Sequence, residues 1–120
     1  MLFKKVWRSH KGIDYDRFRD RIIFPINNIS GQPIGLGGRT IQENSYSAKY
    51  INSPETPFFK KGSNLYNLDL DRKLSNKIDH VYLVEGYMDV VGLSKNGIEN
   101  VVANLGTSLT DRQILMLIQF

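Results

Sequence analysis

Cysteine is absent from the 120 residues, which excludes disulfides and thiolate metal sites and fits a reducing compartment. No apolar run approaches the roughly 20 residues that a membrane-spanning helix needs, so no membrane association is expected. The basic opening MLFKKVWRSHKG lacks the apolar core and small-residue cleavage site of a secretory signal, and a cytoplasmic location is therefore expected. Histidine is scarce: His10 and His80 lie too far apart for a local metal motif, both read as surface residues, and no zinc site is expected. Internal repeats and low-complexity tracts are also missing.

Charge is present but unevenly spread. Residues 1–61 carry eleven Lys or Arg against five Asp or Glu, whereas residues 62–120 carry five against seven, within a net charge of +4. A basic half suits a polyanion such as nucleic acid and an acidic half suits cations, although a solvated surface with a chance imbalance fits the totals equally well.

The pattern of residues divides the chain near position 77. Residues 1–14 show no clear period. RIIFPINN (21–28) and PIGLGGRTI (33–41) are β-rich stretches around the turn-prone residues 29–32, which predicts an antiparallel hairpin. Pro25 has no amide hydrogen to give a ladder, so its strand should be an edge or contain a bulge. A short extended piece, AKYIN (48–52), is closed by Ser53-Pro54. Leu65, Leu68 and Leu74 are spaced for a modest amphipathic helix beginning near Ser63. From residue 78 onward the chain alternates strand and helix. VYLVEG and VVANLG read as buried parallel strands, YMDVVGLSKNG as a helix ended by Gly97, and Thr110 to Gln113 as a capping box opening a last helix. The expected class is α+β: a mixed basic subdomain with an antiparallel hairpin over 1–77, then a β-α-β-α parallel unit over 78–120.

Glu85 ends an apolar strand, and open α/β sheets bind ligands at the C-terminal ends of their strands. Asp89 lies across the following turn, so both carboxylates can reach one crevice and suit a hard divalent cation completed by water and phosphate. The same spacing also describes a solvated glutamate beside an aspartate favoured by a helix dipole. IGLGGR lacks the strand-glycine-helix context of a nucleotide fingerprint; its glycines instead permit close approach to a strand that presents Arg39. Arg17, Arg19 and Arg21 alternate, which in an extended segment would place them on one face opposite phosphates or carboxylates, or along a charge-protected strand edge. AKYINSPETPFFKKG gathers Lys49, Tyr50, Asn52, Lys60 and Lys61, a mixture that suits single-stranded nucleic acid, whereas Phe58 and Phe59 read as core.

Six segments in order, RFRDRIIFPI, GLGGR, KYINSPET, KKGSNLY, VYLVEGYMDVV and ANLGTSLT, resemble the catalytic core of bacterial DnaG-type primases over residues 15–120. That resemblance implies a Toprim domain in the second part and an enzyme that makes short RNA primers on single-stranded DNA from ribonucleoside triphosphates. It implies that Glu85 and Asp89 serve at an Mg²⁺ or Mn²⁺ site, as catalytic and metal residues. It further implies that Arg19, Arg21, Arg39, Lys49, Tyr50, Asn52 and Lys61 face template and nucleotide phosphates. The family's DxD strand, its zinc-binding domain and its helicase-interacting domain have no counterpart in these residues, so a replicative helicase would be met through regions outside them. Two other readings share parts of the pattern: another Toprim enzyme (a topoisomerase, nuclease or mobile-element primase), and a non-catalytic module that only binds single-stranded DNA. With two carboxylates in place of the family's larger set, this polypeptide alone is expected not to polymerise nucleotides. An assay on a single-stranded template with Mn²⁺ and labelled ribonucleotides checks this, and labelled RNA product would contradict it.

Overall fold

In RIIFPIN the apolar side chains alternate in environment, with Phe24 and Ile26 buried and Ile23 and Pro25 exposed, because successive residues of a strand face opposite sides of a sheet. A computed structural model describes residues 7–43, 46–69 and 79–119. This strand is β3 (Arg21–Asn27). It pairs antiparallel with β4 (Pro33–Thr40), which pairs antiparallel in turn with β5 (Tyr50–Asn52), giving the order β3-β4-β5. Pro25 faces Leu36 from the edge strand, a position that accommodates its missing amide hydrogen, and the register shifts just beyond it, between Ile26 and Asn27. The β3–β4 turn is held by Asn28, whose Oδ1 accepts from the amides of Ser30 (3.0 Å) and Gln32 (2.9 Å).

A second hairpin precedes this sheet. β1 (Trp7–His10) pairs with β2 (Ile13–Asp16) across Lys11-Gly12, whose φ values of 51° and 78° match a two-residue turn with both central residues left-handed. The unpatterned residues at the start of the chain therefore include a hairpin that apolar periodicity did not reveal. Its signal is the turn pair Lys11-Gly12, since only glycine takes such a φ without strain.

The helix expected from Ser63 does not begin there. Ser63 closes a single 3₁₀ turn (Lys61–Ser63), Asn64 is extended, and Tyr66 forms an antiparallel bridge with Ala103. The chain turns helical only at Leu68, and the leucines face inward as expected: Leu65 and Leu68 are buried with Val102. Residues 70–78, which hold Leu74 and the expected subdomain boundary, lie outside the described residues.

The second part follows the expected β-α-β-α order. β6 (Tyr82–Val84) and β7 (Val101–Ala103) are parallel, with α1 (Tyr87–Lys95) between them and α2 (Asp111–Ile118) after them. Gly97, at φ 85°, ends α1 in a Schellman arrangement, its amide donating to Ser94 O at 3.1 Å and that of Ile98 to Leu93 O at 3.0 Å. β7 is wholly buried, but Tyr82 and Leu83 of β6 are exposed, because β6 has a single strand neighbour among the described residues. On α2 the exposed residues include Ile114, Leu115 and Ile118, whereas Met116 and Leu117 pack on the core. No helix among the described residues is long and apolar enough to cross a membrane.

The main core joins the two parts. Phe24, Ile26, Ile34 and Phe59 from the first part close around Tyr87 and Leu105 from the second. Tyr87 opens α1, is 4% exposed, and stacks on Phe24 at 5.1 Å between ring centroids. It fits because Gly37 of β4 has no side chain: a Cβ there would lie 2.6 Å from the tyrosine ring. Gly37→Ala should therefore lower unfolding stability by about 1–3 kcal/mol, the usual effect of overpacking. Urea denaturation measures this, and an unchanged midpoint would show that the ring can move aside.

Candidate functional site

The parallel strands end at one edge, where β6 leads into Glu85-Gly86 and β7 into Asn104-Leu105-Gly106. β5 and the segment after it approach from the other part. Together they line a cavity of about 610 Å³ whose walls include Tyr50, Asn52, Lys61, Glu85 and Asp89. Five of the expected site residues, taken from both charge halves of the sequence, thus share one concavity.

Asn52 ties these walls together. Its Oδ1 accepts from the Tyr87 hydroxyl, its Nδ2 donates to Leu105 O at 3.3 Å, and its backbone oxygen receives both Nε (3.1 Å) and Nη2 (2.8 Å) of Arg17. The Asn52 side chain, expected to face template and nucleotide, is thus already engaged inside the protein. Ser53 continues the brace, since Leu36 N donates to its hydroxyl at 2.9 Å. Burial pushes the Tyr87 phenol up to about 12; the Asn52 bond opposes this shift and Tyr66 adds to it. Burial, and secondarily the Asp69 carboxylate, also raises the Tyr66 phenol.

Both carboxylates are exposed. Asp89, in the first turn of α1, accepts the Gly86 amide at 3.2 Å and so caps the helix while facing the cavity. Asn104 adds a third oxygen group to the same wall; its buried Oδ1 has no hydrogen-bond partner among the described residues. No cluster of three or more His, Cys, Asp or Glu occurs among the described residues. An oxygen-only set with two carboxylates fits Mg²⁺, which commonly binds one or two carboxylates and keeps water and phosphate as its other ligands.

The remaining basic residues lie elsewhere on the basic sheet. Arg39 and Lys49 line a hollow of about 510 Å³ with the exposed Ile22 and Ile41. Arg19 and Arg21 line another of about 510 Å³, which Arg17 also borders. The three arginines do not form a strand face, because residues 17–20 turn and Asp20 is left-handed at φ 51°, so folding of the turn brings them to one hollow instead. Arg21 donates to Gly38 O (3.4 Å) and Lys49 O (3.3 Å), and Arg19 lies 5.0 Å over the Tyr15 ring. Of the paired phenylalanines only Phe59 is core. Phe58 is 74% exposed, because the Thr56 hydroxyl holds both amides in a turn that sends the neighbouring rings apart. Tyr87 and Gln113, both central to the site's framework, were not singled out from the sequence as site residues; their positions inside EGYMD and a capping box were the available signals.

The parallel unit with a carboxylate at its first strand end falls within residues 79–119, which match the Toprim domain, and this makes the chain a Toprim-type protein. Residues 3–72 match the N-terminal domain of the DNA primase catalytic core. The chain is 50% identical over 100 residues to the DNA primase of Staphylococcus aureus, covering 83% of this chain and 16% of that protein. It superposes on the Escherichia coli primase catalytic core with a TM-score of 0.88 and 43% identity, over 95% of this chain and 36% of that one. It is likewise similar to a DnaG primase catalytic domain bound to single-stranded DNA, with a TM-score of 0.87 and 42% identity over 96% of this chain and 35% of that one. The chain belongs to the DNA primase catalytic core family. It spans about a sixth of the length of the curated relatives it matches. The primase match of the first part does not favour the other Toprim enzymes.

Alkali tests the framework. Tyr87 favours its neutral form in the fold, so its contribution is intact below pH 10 and is lost as pH rises from about 10 toward about 12. Tyr87→Phe should lower stability at neutral pH by about 1–2 kcal/mol through the lost bond to Asn52. It should also make the alkaline decline shallower, as read by thermal melts from pH 8 to 11. An equally steep decline in the variant would assign that decline to other groups.

Proposed function

We propose that this chain supplies the metal-facing and template-gripping walls of a primer-synthesising nucleotidyltransferase, a DNA-directed RNA polymerase of the primase kind. The observation that carries the reading is the cavity shared by Glu85 and Asp89 with Lys61, Asn52 and Tyr50. Its substrates are ribonucleoside triphosphates and its template is single-stranded DNA. Support for the template comes from the similarity to the catalytic domain whose structure holds single-stranded DNA. A replicative helicase is the partner expected of the whole protein, and the bacterial cytoplasm, at the nucleoid, is the place of action.

Glu85, just after β6, and Asp89, in the first turn of α1, would hold Mg²⁺ or Mn²⁺. When bound, the cation supplies charge neutralisation at the phosphates and at the attacking 3′-hydroxyl. Lys61 opposes phosphate charge from the facing wall, and Tyr50, 42% exposed, offers a ring on which a base can stack. Asn52 contributes by keeping β5 in place against Tyr87 and Leu105. Arg39 and Lys49, with Arg19 and Arg21 in the next hollow, continue the positive track along which the strand's backbone runs.

Fluorescence anisotropy with a labelled single-stranded oligonucleotide tests the division of labour. Lys61→Ala should weaken binding about three- to tenfold and flatten the logarithmic salt dependence by about 0.7 per lost phosphate contact. Glu85→Ala should leave DNA affinity intact and reduce Mn²⁺ binding, read by electron paramagnetic resonance. Loss of DNA affinity in Glu85→Ala with Mn²⁺ binding retained would overturn the assignment.

A further inference from the structure

Lys61 sits on a short turn of three residues that has few bonds of its own, among them Asn64 Nδ2 to Lys60 O at 2.7 Å, and three further bonds to the turn and to Asn64 come from α2 and its cap. Gln113, wholly buried, donates through Nε2 to Lys61 O at 3.0 Å and to Asn64 O at 2.9 Å. Its Oε1 accepts the Thr110 amide at 3.1 Å, and its own amide donates to the Thr110 hydroxyl at 3.2 Å. That hydroxyl donates to Gly62 O at 2.6 Å, and a Cβ on Gly62 would lie 3.2 Å from the Thr110 methyl. From the near side, the Lys61 amide donates to Glu55 Oε1 at 2.9 Å.

A capping box needs only an acceptor at its third helical position, and glutamate serves as well as glutamine. Here the side chain must also donate twice, to two carbonyls, in a site without solvent. A carboxylate has no hydrogen to give and would face both oxygens with its charge. The amide therefore performs a task that helix capping does not require.

Resting on the proposed contact of Lys61 with phosphate, we infer that Gln113 is a positioning residue for that lysine. The Toprim part thereby sets where the first part's cation meets the cavity, and one helix start aligns the phosphate-facing wall with the carboxylate-facing one.

A double-mutant cycle in the full chain tests this, with a fluorescein-labelled oligothymidylate as probe at a temperature where each variant is folded by circular dichroism. Gln113→Glu keeps shape and cap acceptor and should weaken binding about three- to fivefold, in keeping with loss of the lysine's alignment. In the Lys61→Ala background it should cause no further loss, because the group it positions is gone. Thr110→Val removes the bond to Gly62 O and repeats the test should Gln113→Glu fail to fold. Unchanged affinity in a folded Gln113 or Thr110 variant, or losses that add to those of Lys61→Ala, would overturn the positioning role. An unaltered affinity in Lys61→Ala alone would instead overturn the phosphate contact on which the inference rests.

Discussion

Tyr87 is the point at which the two parts of this chain become one site. Its ring lies under a glycine of β4, stacks on Phe24 of β3 and meets Tyr66 edge-on at 5.0 Å, while its hydroxyl reaches Asn52 of β5. A ring pair of this kind adds about 0.5–1.5 kcal/mol beyond burial of its area. Position matters more than energy here. Tyr87 lies two residues after Glu85 and two before Asp89, so whatever seats the ring against the basic sheet also sets where both carboxylates emerge.

Two braces then act from opposite sides of the cavity. Asn52 spends its side-chain amide and its backbone oxygen on internal partners, fixing β5 to α1, to the loop after β7 and to Arg17. Gln113 spends its own amide on the turn that carries Lys61. Glu85 and Asp89 are exposed and Lys61 is half-buried, and neutral amides stand behind these charges, Asn52 half-buried and Gln113 fully buried. Such a division suits a site that must bind a polyanion and a cation together, since neutral supports hold the walls without adding charge of their own.

Legibility in the sequence followed the range of the physics involved. The β3–β4 hairpin, the edge position of Pro25, the left-handed end of α1 at Gly97 and the capping box at Thr110 all rest on interactions within a few residues, and each was readable from residue type and spacing. Where a local rule met a tertiary partner it gave way. Leucine spacing after Ser63 suggested a helix from that point, but Tyr66 gains a backbone bridge to Ala103, so the chain turns helical only at Leu68 and Leu65 is buried from outside the helix. The alternating arginines suggested a strand face, but a left-handed Asp20 turns the chain between them.

By itself the sequence determined the β-α-β-α order of the second part, the placement of Glu85 at a strand end and the concentration of positive charge in the first part. All three are properties of neighbouring residues: periodicity, capping chemistry and charge count. Only the tertiary structure decided that Lys61, Asn52 and Tyr50 would share a cavity with Glu85 and Asp89, while Arg39 and Lys49 would line a different hollow. That choice depends on a ring fitting beneath a glycine fifty residues away and on an amide reaching a turn at similar distance. Contacts of that separation are set by shape and hydrogen-bond geometry in the packed core, which no local pattern encodes.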